Sequence, residues 1–343
     1  MENLCLVTGA CGFSGSYMVE LLREKGYKVR ATDLLSSNRA YWKEITQEVE
    51  FIPADLTKKE TLKDVVKDVE YVFHPAAIFD YSASWELLER VNVFGTRNLL
   101  EAIVESNAPI KRFVNWSTAG VYGLPKPEIL PVKEDAPTLP VDLYSKSKLK
   151  QEEVVMEFHR KYNIPVTIIR PSPIYGPRNI YGIAQVLLNI AKLPTLMVPK
   201  NFNTGMPFVH VKDVCNAALF LAQKEEANGE IYNVVDDSNM DAYQFVHFFA
   251  EVLGKKVKDL PNVHMPVIKK IAAGFAFLCR ILSKILPLRI IIYFRETALY
   301  ATTDYRFSNE KLKSLGYQFI YPTVREGMPE TILWYKENKM LKK

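Results

Sequence analysis

Tyr144 and Lys148 stand four residues apart in the run Tyr144-Ser145-Lys146-Ser147-Lys148. On a helix, positions i and i+4 share a face, so a phenol and an ammonium would point at one small volume. The ammonium would stabilise the phenolate and draw the phenol from its usual pKa of about 10 toward working pH, making a general acid/base. Ser117-Thr118 follows an apolar strand about one βα unit earlier, and a hydroxyl there can bind the same substrate oxygen. A second constellation opens the chain, Thr8-Gly9-Ala10-Cys11-Gly12-Phe13-Ser14-Gly15. Its three glycines let the backbone turn sharply and approach a pyrophosphate, while the following helix offers N–H donors and positive dipole. The spacing differs by one residue from G-x-G-x-x-G. Asp33 ends the second strand, 18 residues beyond Gly15. A carboxylate there accepts both hydroxyls of an adenosine ribose and repels a 2′-phosphate, so NAD is expected, with NADP left open by the nearby Arg39. Asp55-Leu56, after the third strand, either receives the adenine amino group or begins a helix cap.

These side chains need a scaffold, and the first half of the chain supplies one by alternating short β-branched runs with longer amphipathic ones. Strands are expected at Leu4–Thr8, Lys28–Thr32, Glu50–Pro53, Tyr71–His74, Arg112–Ser117 and Val166–Arg170. Helices are expected at Gly15–Lys25, Thr61–Val66, Val91–Ser106 and Tyr144–Tyr162, where apolar residues recur every three to four positions. Six strands with crossover helices predict an α/β fold built on a doubly wound parallel (Rossmann) sheet, which binds ligands at the carboxyl ends of its strands. Five prolines between Gly123 and Leu143 make that stretch a long surface loop. Residues 1–170 are expected to form the dinucleotide-binding core with the Tyr/Lys helix. Residues 171–335 would form mainly a smaller substrate-binding lobe, with some segments returning to the core, and 336–343 a frayed basic tail.

Composition narrows the function class. Among 343 residues, 48% are hydrophobic and 24% charged, which excludes disordered and collagen-like readings. Lys+Arg 44 against Asp+Glu 39 leaves +5, too dilute to predict a nucleic-acid partner, so any basic patch must be local. The four cysteines form no Cys-x-x-Cys pair, and the histidines lack metal-ligand spacing, so no metal site is expected. Met1–Val7 does not read as a signal peptide, and a cytoplasmic location is predicted. The apolar stretch Pro266–Phe294 is broken by Arg280, Lys284, Pro287 and Arg289 and is not expected to cross a bilayer.

Together these residues resemble the extended short-chain dehydrogenase/reductase superfamily, of NAD-dependent epimerase/dehydratase type. The resemblance is carried further by His74-Pro75-Ala76-Ala77, Asn92 with Gly95-Thr96, the segment Arg170-Pro171-Ser172-Pro173-Ile174-Tyr175-Gly176-Pro177, and Phe208-Val209-His210-Val211-Lys212-Asp213-Val214. It implies that Thr118, three residues before Val121 of Val121-Tyr122-Gly123, acts with Tyr144, and that Ser117 is its neighbour. It also implies that Gly9, Gly12, Phe13, Gly15, Asp33, Asp55, Leu56, Ala76, Ala77 and Asn92 border the cofactor. Lys148 would hold the nicotinamide ribose and tune Tyr144, and the residues from Pro171 onward would lie against the nicotinamide. The implied reaction is hydride transfer between a secondary alcohol carbon and NAD.

The superfamily divides mainly into enzymes of nucleotide sugars and enzymes of lipophilic alcohols. Sugar-nucleotide members usually place an Arg before the Phe-Val-His segment to clamp a diphosphate, and Met206-Pro207 stands there instead. A second Arg ahead of an Asp is replaced by Ala301-Thr302-Thr303 before Asp304, although Arg306 could compensate. Ala119-Gly120, in place of an acidic pair, argues against dehydration. The resemblance is thus nearest to 3β-hydroxysteroid dehydrogenase-like members. Residues 267–286 form a cationic amphipathic helix, with Lys269, Lys270, Arg280 and Lys284 within about a 100° arc at helical spacing. That helix would lie in a membrane interface, cover the substrate cleft as a lid, or pack on the second lobe. A homodimer through 85–106 and 144–162 is implied by relatives. A nucleotide-sugar 4-epimerase using the same Tyr, Lys and Thr is the alternative, and a non-catalytic NAD-binding sensor the third.

Overall fold

The computed structural model describes residues 3–38, 48–285 and 302–341. Its centre is a set of short strands buried on both faces, an arrangement satisfied only when helices cover each side of a sheet. They are β1 (Leu4–Thr8), β2 (Lys28–Thr32), β3 (Val49–Phe51), β4 (Tyr71–His74), β5 (Arg112–Trp116) and β6 (Val166–Pro171). Two pairs lie apart from them: β7 (Ile174–Tyr175) with β9 (Val209–His210), and β8 (Thr195–Pro199) with β11 (Lys256–Leu260). β10 (Glu230–Val234) returns to the main sheet, whose order is β10-β6-β5-β4-β1-β2-β3 with every pair parallel.

Side-chain alternation along β1 divides the core. Cys5 and Val7 pack toward α1 (Phe13–Glu24) on one face of the sheet. Leu6 faces the opposite layer. That layer is a helical run of α2 (Trp85–Leu88), a π turn (Glu89–Phe94) and α3 (Gly95–Glu105), beside α4 (Leu143–Tyr162). The lobe carries α5 (Ile183–Ala191), α7 (Ala242–Leu253) and α8 (Met265–Ile285), while α6 (Val211–Ala222) returns to pack on α1. α9 (Glu310–Ser314) and α10 (Val324–Glu337) close the chain.

The sequence pattern and the structure differ in four places. A seventh strand, β10, was not legible because Asn233 interrupts its apolar pattern. Its amide is satisfied inside the core, donating to Val132 and Ser308 carbonyls and accepting from the Tyr122 hydroxyl. The helix expected at Thr61–Val66 is a single 3-10 turn, Lys59–Thr61, because the Thr61 hydroxyl bonds the Asp55 and Lys58 carbonyls and competes with helical pairing. The third strand lies at Val49–Phe51, a little before its expected place. The basic tail is not wholly frayed, since α10 runs to Glu337 and Leu341 is buried against the lobe.

Candidate active site

The carboxyl ends of β1, β2, β4 and β5 open into one cleft of about 1280 Å³ that continues between the sheet and the lobe. This exceeds the roughly 300–1,000 Å³ of a single drug-sized site and has room for a cofactor and a substrate together.

At one end lies the glycine turn. Gly9 has φ +59° and stands so close to Ala76 that a Cβ would meet the Ala76 Cα at 2.8 Å. A Cβ on Gly15 would lie 2.0 Å from the Gly9 carbonyl oxygen. Gly12 caps α1 without any side-chain bond, and the first turn holds no acidic residue, which leaves the helix N-terminus to a ligand anion. Asp33 ties this turn to β2: one carboxylate oxygen accepts the Cys11 N–H at 2.9 Å, the other the Leu34 N–H at 2.8 Å and the Ser37 hydroxyl at 2.7 Å. These features fit a dinucleotide with its pyrophosphate on α1 and its ribose beside Asp33. Phe13, Asp55, Leu56, Ala76, Ala77 and Pro171 also line the cleft. The Asp55 carboxylate makes a local turn, accepting the N–H and hydroxyl of Thr57 at 2.9 and 2.8 Å, and caps no helix, since the 3-10 turn that follows has Lys58 at its N-cap. Burial works to raise its pKa, but those bonds outweigh it and hold the group below the usual carboxylate range. Arg39 lies outside the described residues.

Asn92 stands one layer behind the cofactor end. Its amide accepts the Ile78 N–H at 2.8 Å, donates to the Ile78 carbonyl at 3.2 Å and to the Ser147 hydroxyl at 2.9 Å. It therefore fastens the loop after β4 to α4. The π turn that carries it is the local departure in an otherwise α-helical run.

At the other end α4 presents Tyr144 and Lys148, and β5 delivers Ser117 and Thr118 to the same cleft. Asp142 begins α4, accepting the Ser145 N–H at 2.7 Å and the Ser145 hydroxyl at 2.8 Å. Thr118 Oγ1 accepts the Gly120 N–H at 3.1 Å, so its own O–H remains to be donated into the cleft. Ser117 borders the cleft too, yet its hydroxyl donates to Glu152, so the structure does not add it to the Tyr144–Thr118 pair as a second donor.

Electrostatics depart from the sequence expectation. Tyr144 borders the open cleft but lies deep among protein atoms; burial, with Asp142 adding repulsion, pushes its hydroxyl above the usual phenol range. Burial also pushes the Lys148 amine down to about 7, with Glu152 opposing the fall. Loss of hydration penalises both charged forms, so it outweighs the attraction that spacing alone predicted.

A family model, the NAD dependent epimerase/dehydratase family, matches residues 5–234. The chain belongs to this family. It is an enzyme of the NAD-dependent dehydrogenase and epimerase class, and its cofactor is NAD. It is 30% identical over 339 residues to the Bos taurus sterol-4-alpha-carboxylate 3-dehydrogenase, decarboxylating, covering 96% of this chain and 91% of that protein. It is 29% identical over 335 residues to the N-acetyl-alpha-D-glucosaminyl-diphospho-ditrans,octacis-undecaprenol 4-epimerase of Escherichia coli O157:H7, covering 97% and 95%. Among solved structures, gox2253 superposes with a TM-score of 0.80 at 26% identity, over 99% of this chain and 100% of that one.

Within this family frame, several residues of the site had no reading in the sequence. Phe79 meets the Tyr144 ring edge-on at 4.7 Å between centroids, and Tyr81 stands 6.2 Å from it, so the loop after β4 walls in the phenol. No local spacing marks that contact, since it joins residues 65 positions apart. Glu152 does carry a signal, as the next i+4 step after Tyr144 and Lys148. It is gripped by Arg170 through bonds of 2.9 and 2.7 Å, and Arg170 also donates to the Tyr122 hydroxyl at 2.9 Å. Both charged side chains are buried. Arg170→Met is expected to destabilise the fold by about 3–5 kcal/mol, because it strands a buried carboxylate. Urea unfolding of the variant beside wild type measures this.

The lobe side of the cleft is apolar, lined by Ile183, Val186 and Leu187 of α5, Phe245 and Phe249 of α7, and Phe202. Among the described cleft-lining residues the only charged ones are Asp33, Asp55, Arg90 and Lys148. Met206 and Pro207 line the cleft, whereas Arg306 does not; it bonds Asp304 at 3.1 Å and Asn239 at 2.9 Å.

Proposed function

We propose that this enzyme interconverts a secondary alcohol and a ketone on a lipophilic, steroid- or terpenoid-like substrate. The observation that carries the reading is the substrate half of the cleft, whose described lobe lining is aromatic and aliphatic apart from the uncharged Asn179 and which offers no cation besides Lys148. A buried diphosphate needs charge-assisted partners, and none of the described lobe residues at the cleft supplies one. The sterol-4-alpha-carboxylate 3-dehydrogenase relative supports the same substrate class.

NAD supplies the hydride acceptor when bound. In this reading, Tyr144 exchanges the hydroxyl proton, Lys148 tunes it and holds the nicotinamide ribose, and Thr118 donates to the reacting oxygen and steadies developing charge. Phe79 and Tyr81 exclude water from the phenol. Gly9, Gly12, Phe13, Gly15, Asp33, Leu56, Ala76, Ala77 and Pro171 surround the dinucleotide, with Asp55 and Asn92 fixing the loops beside it.

A screen for NAD+ reduction over sterols, terpenoid alcohols and nucleotide sugars, repeated with NADP+, tests this. Net NADH is expected from the sterol or terpenoid panel. Conversion of a nucleotide sugar without net NADH would establish the 4-epimerase instead, in line with the E. coli relative. Saturable NAD binding with no turnover of any substrate would favour the sensor. Homodimerisation through 85–106 and 144–162 belongs to the same proposal, with Phe94 half exposed on that surface. Light scattering is expected to give twice the chain mass; a monomer would remove that interface.

A further inference from the structure

We propose that the outer face of α8, with the exposed lysines of β11, docks on an anionic lipid surface. The structure removes two of the three roles open to this helix. None of its described residues borders the cleft, so it is not a lid. Val267, Ile271, Phe275, Phe277 and Leu278 are exposed, Ile271 at 61% and Phe277 at 64%, so it does not pack that face on the lobe. Cys279 is the one buried side chain among those described in the helix. No helix among the described residues is long and apolar enough to cross a membrane, which leaves a helix lying on one.

Helical spacing gathers the exposed Val267, Ile271 and Leu278 into one strip and sets the exposed Lys270 beside it. A contiguous apolar strip of this kind marks a partner, and charge selects which. Residues 254–285 hold seven lysines and arginines against one aspartate, while the rest of the chain carries 37 against 38. The positive excess of the whole protein is thus confined to this segment. Lys256 and Lys258 of β11 and Lys270 of α8 are exposed. Pairing this face with a second copy would bring like charges together, whereas anionic headgroups would neutralise them as the apolar strip enters the acyl boundary.

The helix is also fastened to the cleft. Asn201 donates to the Val263 carbonyl at 2.7 Å and accepts the Val263 N–H at 2.9 Å, and the next residue, Phe202, lines the cleft. A lipophilic molecule leaving the bilayer would therefore meet the cleft wall at the foot of α8. That route rests on the substrate reading; the docking does not.

Co-sedimentation of the full chain with phosphatidylcholine vesicles, with and without phosphatidylglycerol, and without any substrate, tests the surface alone. Retention on phosphatidylglycerol vesicles is expected, at least about tenfold stronger than on phosphatidylcholine and weakened by high salt. Two variants separate the contributions: Ile271→Asp with Leu278→Asp, and Lys256→Glu with Lys258→Glu and Lys270→Glu. Each is expected to lose at least about tenfold in retention while keeping NAD affinity and melting temperature, as befits exposed positions. Absence of wild-type binding, or retention of either variant equal to that of wild type, overturns the proposal. So does self-association without lipid that the α8 substitutions abolish, since it assigns the face to a second copy. Failure of the substrate screen leaves the vesicle result untouched.

Discussion

Tyr144→Phe is expected to lower turnover by at least ~100-fold, the usual scale for one acid/base group, while leaving NAD affinity nearly unchanged. The substitution removes one oxygen and keeps the ring that packs against Phe79 and Tyr81, so the cleft wall should survive. Steady-state kinetics on the substrate found by screening, beside a NAD titration, measure the two effects separately. Wild-type turnover in the variant would remove the phenol from the reaction.

The pH profile carries the same argument further. Burial raises the phenol and lowers the Lys148 amine to about 7, so the amine is the group that changes protonation in the neutral range. Below pH 7 both groups hold their protons and cannot accept one from an alcohol. Above it the amine has lost its proton and can take up the one that Tyr144 receives from the alcohol. Alcohol oxidation is therefore expected to rise with pH around a midpoint near 7 to a plateau, and ketone reduction to fall over the same range. Lys148→Met should abolish that midpoint and push the rise toward the pH at which the buried phenol alone ionises. The same burial has a cost in stability. The unfolded chain holds the Lys148 proton up to its ordinary pKa of 10.5, and the folded chain releases it near 7, so stability rises with pH between those values and the penalty is fully present below 7. Lys148→Met should accordingly melt higher than wild type at pH 6 while being nearly inactive.

Gly15→Ala is expected to weaken NAD binding at least about 10–100-fold, the scale of one lost charge-assisted hydrogen bond. Its Cβ would stand 2.0 Å from the Gly9 carbonyl oxygen, 2.7 Å from the Gly9 carbonyl carbon and 2.9 Å from the Ala10 Cα. All three are backbone atoms that cannot swing aside as a side-chain end would, so the turn must open and its N–H groups lose their aim. Gly26→Ala is the matched control. Gly26 has φ +79° but nothing within 4 Å of a Cβ, so strain of about 1 kcal/mol is expected without loss of cofactor. Calorimetric titration with NAD distinguishes the two; equal affinity for wild type and Gly15→Ala would mean that the turn does not hold the pyrophosphate.

Sequence alone determined what depends on neighbours in the chain. The short apolar run of β1, the glycine turn, Asp33 at the end of β2 and the four-residue step from Tyr144 to Lys148 are local patterns, and backbone geometry translates them directly into a parallel sheet with a cleft at its strand ends. Tertiary structure decided what depends on distant partners and on dielectric. Asn233 could become a core strand residue only with Tyr122, Val132 and Ser308 around it. Ser117 was diverted to Glu152, Asn92 to Ile78, and the phenol was enclosed by Phe79 and Tyr81. The sign of the Tyr144 and Lys148 shifts was decided there as well, because spacing specifies which charges meet, while only the packed protein sets how much water each one loses.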